Sequence, residues 1–76
     1  MKEALTTIIS SLVNDIDAIS INQIDNERMT TFEVKVASGD MGKVIGKEGR
    51  IAKAIRTIMK SVASKENKKV SIEFID

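Results

Sequence analysis

Val44-Ile45-Gly46-Lys47-Glu48-Gly49-Arg50 is the stretch on which the reading of this chain turns. Two glycines bracket a charged pair, an apolar pair stands before them, and a basic amphipathic pattern starts after them. Glycine lets the backbone bend sharply and approach a ligand with no Cβ in the way. The amides that open the following helix then point toward whatever occupies the bend, which favours an anion. Lys47 and Arg50 place positive charge at the same spot. A phosphate suits such a bend, and the apolar pair beside it suggests that bases lie alongside.

Two better-known phosphate loops do not fit. Gly42 to Gly46-Lys47 is one residue short of a P-loop, and Glu48 stands where a Ser or Thr would hold magnesium. The dinucleotide fingerprint also fails, because no G-x-G precedes the second glycine. Two glycines three apart form a weak signal alone. Their context, an apolar pair before and an uninterrupted helix pattern after, gives them weight.

Working outward on the C-terminal side, a helix is predicted over Arg50 to Ser64. At roughly 100° per residue, Ile55, Ile58, Met59 and Val62 share one face with Ala52 at its edge, the predicted core stripe. Lys53, Arg56 and Lys60 fall on nearly the opposite, solvated face. The polar run Lys65-Glu66-Asn67-Lys68 breaks the helix, and Val70, Ile72 and Phe74 then alternate with polar residues in a last strand. On the N-terminal side, Asp40 is a candidate N-cap for a helical turn through Met41 to Ile45. Before it, Phe32, Val34 and Val36 alternate as a strand, as do Ile19 and Ile21, with Asp25-Asn26-Glu27-Arg28 as the turn between. Residues 2–14 carry Leu5, Ile8, Ile9, Leu12 and Val13 at helical spacing. The order is helix, strand, strand, short helix, long helix, strand. A helical pair joining the second and third strands permits a mixed sheet with the helices packed on one face. Phe32 and Phe74 are expected in the core, and Ile45 is expected to line a base-sized groove against the second strand.

Seventy-six residues suffice for one small domain with a marginal core. No cysteine staples it, and no His or Cys set offers a metal site, so no cofactor or metal is expected. No apolar run approaches the ~20 residues of a membrane span, and the N-terminus lacks a signal-type stretch; a cytoplasmic location is the expectation. The net charge is only +1, but its distribution is uneven. Acidic residues gather in the first 33 positions, and basic ones from Lys43 onward, which points to an anionic partner. Catalysis is not expected: there is no His or Cys, the serines lack a base, and Asp15, Asp17, Glu33 and Glu73 fit alternation or capping. With no Trp or Tyr there is no aromatic platform for bases, so readout would rest on apolar side chains, backbone and shape.

The phrase Asp40-Met41-Gly42-Lys43-Val44-Ile45-Gly46-Lys47-Glu48-Gly49-Arg50, continued by Ala52-Lys53-Ala54-Ile55-Arg56-Thr57, resembles the signature of KH domains. It is most similar to small stand-alone bacterial KH proteins of the KhpA type, over essentially the whole chain. The resemblance implies an α+β fold, a single type II KH domain over residues 1–76 with a three-stranded mixed sheet. It implies that Gly46, Lys47, Glu48 and Gly49 clamp single-stranded RNA as a GXXG loop holding about four nucleotides. Lys43, Ile45, Arg50, Lys53 and Arg56 complete the expected RNA-binding set. Family properties would be RNA chaperoning, homodimerisation, pairing with a larger KhpB-type partner and a link to cell shape and cell wall biogenesis. The alternative is a protein-interaction adaptor in which Ile51, one place before the Ala52 that stands where other KH domains carry isoleucine, faces a subunit interface.

Overall fold

The computed structural model describes residues 1–75. The elements are α1 (Lys2–Leu12), β1 (Ser20–Asp25), β2 (Met29–Lys35), α2 (Met41–Ile45), α3 (Arg50–Lys65) and β3 (Lys69–Phe74). Short 3₁₀ turns stand at Ile16–Ala18, Ser38–Asp40 and Lys47–Gly49. The predicted order is the observed one. The first helix is two residues shorter than its periodicity suggests because Val13 is already extended.

The sheet runs in the order β1-β2-β3. β1 and β2 form an antiparallel hairpin, with Ile21 opposite Val34. β3 joins β2 in parallel, with Phe32 opposite Ile72. The fold is therefore α+β with a three-stranded mixed sheet. The hairpin turn is closed by Asn26, whose Oδ1 accepts the amides of Arg28 at 3.1 Å and Met29 at 2.8 Å, an Asx-type turn.

One face of the sheet carries the core. Phe32, Val34, Val70 and Ile72 meet Leu5 and Ile9 from α1, Val44 from α2, and Ile55, Met59 and Ala63 from α3. Phe32 is fully buried as expected, whereas Phe74 is only half-buried, at the end of the edge strand. β2 is hydrogen-bonded on both sides, so it offers no open flank to a ligand; the open edge near α3 belongs to β3.

Two helix assignments change in detail. Ile58, predicted in the core stripe, is 48% exposed, while Ala63 is buried. The buried positions of α3 are Ala52, Ile55, Met59 and Ala63, a stripe centred near Met59. Ile58 lies roughly 100° from that centre on the helical wheel, on the flank away from Arg56. Arg56 flanks the same stripe on the β3 side, instead of standing opposite it.

Asp40 does not cap α2 through its side chain. Its carboxylate is 4% exposed and turned back toward α1. Oδ2 accepts the amides of Asn14 at 3.2 Å and Asp15 at 2.9 Å, while Oδ1 pairs with Lys43 Nζ at 3.2 Å. The segment leaving α1 is thereby tied to the entrance of α2. The Asp15 amide, and after it Lys43 and the Asn14 amide, hold the Asp40 carboxyl below the ordinary aspartate range, against the opposing effect of burial.

Candidate nucleic-acid interface

α2 ends at Gly46, whose φ of 77° and ψ of 176° lie in a region essentially restricted to glycine. A Cβ at this position would stand 2.6 Å from Ile51 Cγ1 and 2.9 Å from Ile51 Cβ. Gly46 is thus required twice, by backbone conformation and by the packing of Ile51 beneath it. Ile51 itself is half-buried, packed against the core.

The chain then makes a single 3₁₀ turn over Lys47–Gly49. Glu48 has φ 57° and Gly49 φ 73°, two consecutive left-handed residues, and Arg50 enters the right-handed helix. A Cβ on Gly49 would meet nothing within 4 Å, so this glycine answers to backbone conformation alone. Lys47 and Glu48 are exposed at the tip. The Gly49 amide donates to Gly46 O at 3.2 Å and the Arg50 amide to Lys47 O. No side chain caps the start of α3. The loop therefore presents the uncapped, positive end of a 16-residue helix to solvent.

The charges around this loop are distributed unequally. Glu48 Oε2 lies 3.6 Å from Arg50 Nη2, with both side chains exposed, so the acid partly offsets the arginine without entering the bend. Lys43 is held by Asp40, which partly neutralises it. Lys53 is exposed one turn beyond Arg50 on α3. Gly46, Lys47, Glu48, Gly49, Arg50 and Lys53 are contiguous around the helix start. Lys43 is on the approach from α2 and Ile45 is half-buried against the core.

Arg56 is the site residue whose role changes most. Its Nε donates to Ile72 O of β3 at 3.3 Å, and its guanidinium lies 5.5 Å from the centre of the Phe74 ring. A planar cation is thus laid across the end of the edge strand. Next to it, a depression of about 330 Å³ runs between α3 and β3, lined by Met29, Arg56, Lys60, Val70, Ser71 and Ile72. Residue spacing missed Phe74 and Met29 as surface elements because their apolar character signals core; only the strand order shows that β3 is an edge.

A glycine-hinged turn between two helices, opening onto a mixed three-stranded sheet with one free edge, is the arrangement of a KH domain. The chain belongs to the KhpA/KhpB KH-domain family, whose family model matches residues 2–74. It is 53% identical over 75 residues to the RNA-binding protein KhpA of Clostridium acetobutylicum, covering 99% of this chain and 100% of that one. The RNA-binding protein KhpA of Clostridium perfringens is 52% identical with the same coverage. The one from Chlamydia trachomatis is 45% identical over 76 residues, covering 100% of this chain and 97% of the relative. No solved structure matches the chain significantly. No helix among the described residues is long and apolar enough to cross a membrane.

Proposed function

We propose that this chain binds single-stranded RNA with low sequence specificity. In this reading Gly46, Lys47, Glu48 and Gly49 hold the sugar-phosphate backbone, and a few unstacked bases lie along α3 and β3. The observation that carries the reading is the exposed, glycine-hinged loop itself, with Lys47 and Arg50 beside the uncapped start of a basic helix. The names of the relatives support the choice of RNA. Lys47 and the amides that open α3 take the phosphates; Arg50 and Lys53 add charge along the strand; Arg56, over the Phe74 ring, offers a planar group for a base. Lys43 and Ile45 border the loop, Lys43 with its charge partly spent on Asp40.

The test is the double replacement of Lys47 and Glu48 by Asp. Aspartate accommodates a left-handed backbone better than most residues, so the Glu48 position keeps its turn. Two carboxylates at the mouth of the bend repel phosphate. Expected are a retained thermal unfolding midpoint and loss of RNA retention in a filter-binding assay; undiminished retention refutes the clamp.

A second reading, self-association or pairing with a larger KhpB-type protein, is favoured by Ile16 and Ile58, which stand 58% and 48% exposed. It is compatible with the first, because neither residue belongs to the loop. A cytoplasmic RNA chaperone that acts on many transcripts, with an influence on cell shape and wall synthesis, is the physiological role we attach to both.

A further inference from the structure

Three lysines that no part of the clamp uses converge at the far end of α3. Lys60, Lys68 and Lys69 line a depression of about 500 Å³ together with Met29, Ser64, Asn67 and Val70. No acidic residue lines it. This depression shares Met29, Lys60 and Val70 with the one beside Arg56, so a continuous trough follows the open flank of β3 along α3. On α3 the trough runs from Arg56 to Ser64, about 12 Å at 1.5 Å per residue, and Arg56 stands about 9 Å beyond Arg50 at the start of the helix.

The corner has a fixed shape. The Asn67 amide donates to Ser64 O at 3.0 Å and the Lys68 amide to Ala63 O at 2.9 Å, with Asn67 left-handed at φ 58°. This is the Schellman pattern that ends a helix and sets the direction of the residues after it. Lys68 and Lys69 therefore leave the helix in a determined position, at the mouth of the trough. Among the described residues, none of the three lysines forms an ion pair. Glu66, in the same corner, faces the Met1 amino group at 3.6 Å. Lys68 and Lys69 also border the hairpin turn with Asp25 and Glu27, whose charge partly offsets theirs; the three lysines still gather at the trough, and an anionic chain lying across them relieves their mutual repulsion.

We propose that Lys60, Lys68 and Lys69 form a second backbone-holding site, which takes the continuing phosphates of the same RNA strand and lengthens the footprint beyond the clamp. The inference rests on the RNA-binding reading above. A purely structural role competes with it, since cations near the end of a helix offset its dipole. The two differ in what they predict for stability and for RNA length.

The experiment measures fluorescence anisotropy of labelled oligouridylates of about four and about ten nucleotides, the shorter matching the footprint of a KH clamp. The wild-type chain is compared with the Lys60→Gln/Lys68→Gln/Lys69→Gln variant, with uridine monophosphate as competitor. Expected for the variant are an unchanged melting temperature and unchanged affinity for the short RNA. Its gain on the longer RNA shrinks to that from added sliding registers, and the slope of log affinity against log salt falls by about 2, or 0.7 per phosphate. The wild-type gain should resist the mononucleotide, which separates a strand site from a free-phosphate site. A variant that keeps the full gain and slope overturns the second site and leaves the clamp standing. A variant that loses melting temperature with the gain intact assigns the lysines to the helix end. Wild-type chain that binds neither length sinks the clamp and the extension together.

Discussion

At Gly46 one residue serves both shape and access. Its φ of 77° and ψ of 176° exclude side chains, and Ile51 fills the space where a Cβ would go. Gly46→Ala is therefore expected to destabilise the fold by about 2 kcal/mol or more, combining left-handed strain with overpacking, as read by urea denaturation. Gly49→Ala meets open space and suffers only the backbone part, about 1 kcal/mol, so the two glycines should separate in one series. Arg56 is the opposite kind of residue, whose identity matters for its plane. Arg56→Lys keeps the charge and loses the flat face over Phe74. Expected is a roughly tenfold weaker RNA affinity, about 1.4 kcal/mol, at an unchanged salt slope; an equal affinity would show that only its charge is used. The sequence made the loop legible because glycine, lysine and arginine at fixed spacing state their own chemistry. It hid Arg56, because a helical wheel has no information about which strand lies beside it.

α3 shows where periodicity succeeds as a guide and where it stops. Ile55 and Met59 were readable as core from spacing alone, and both are buried. Ile58 has the same chemistry and a neighbouring wheel position, but it is exposed, on the flank away from Arg56 and β3, and nothing in one helix's sequence reports the width of the surface it packs on. The consequence is measurable. Met59→Ala empties a fully buried site and is expected to cost about 2–5 kcal/mol, whereas Ile58→Ser should stay within about 0.5 kcal/mol. Matching losses in chemical denaturation would show that Ile58 is covered in solution, by a second copy or a partner. The end of α3 was likewise legible as a polar break, but not as a Schellman corner, since that depends on Asn67 adopting a left-handed backbone.

For the molecule as a whole, the decisive contact is one that crosses it. The segment after α1 and the start of α2 are 25 or more residues apart in sequence, and the Asp40 carboxylate joins them through the amides of Asn14 and Asp15. Sequence reading placed Asp40 at the correct turn but gave it a local capping task, because only the fold brings α1 within reach. The bond makes stability depend on pH in a definite direction. Asp40 has a folded pKa below that of the unfolded chain, so its contribution is complete above the unfolded value of about 3.9 and disappears as pH falls through the folded value. Asp25, lowered chiefly by its bond from Thr30, acts in the same direction from an exposed position. At pH 7, Asp40→Asn replaces the charged oxygen that both amides share with a neutral one and deprives Lys43 of its counter-ion, so its denaturation midpoint should lie below the wild-type one. As pH drops below 4 the wild-type carboxyl takes up a proton and loses the same interactions, and the two midpoints should converge. A gap that stays constant from pH 7 to pH 2 would mean that the charge of Asp40 contributes nothing and that only its shape holds α1 to α2.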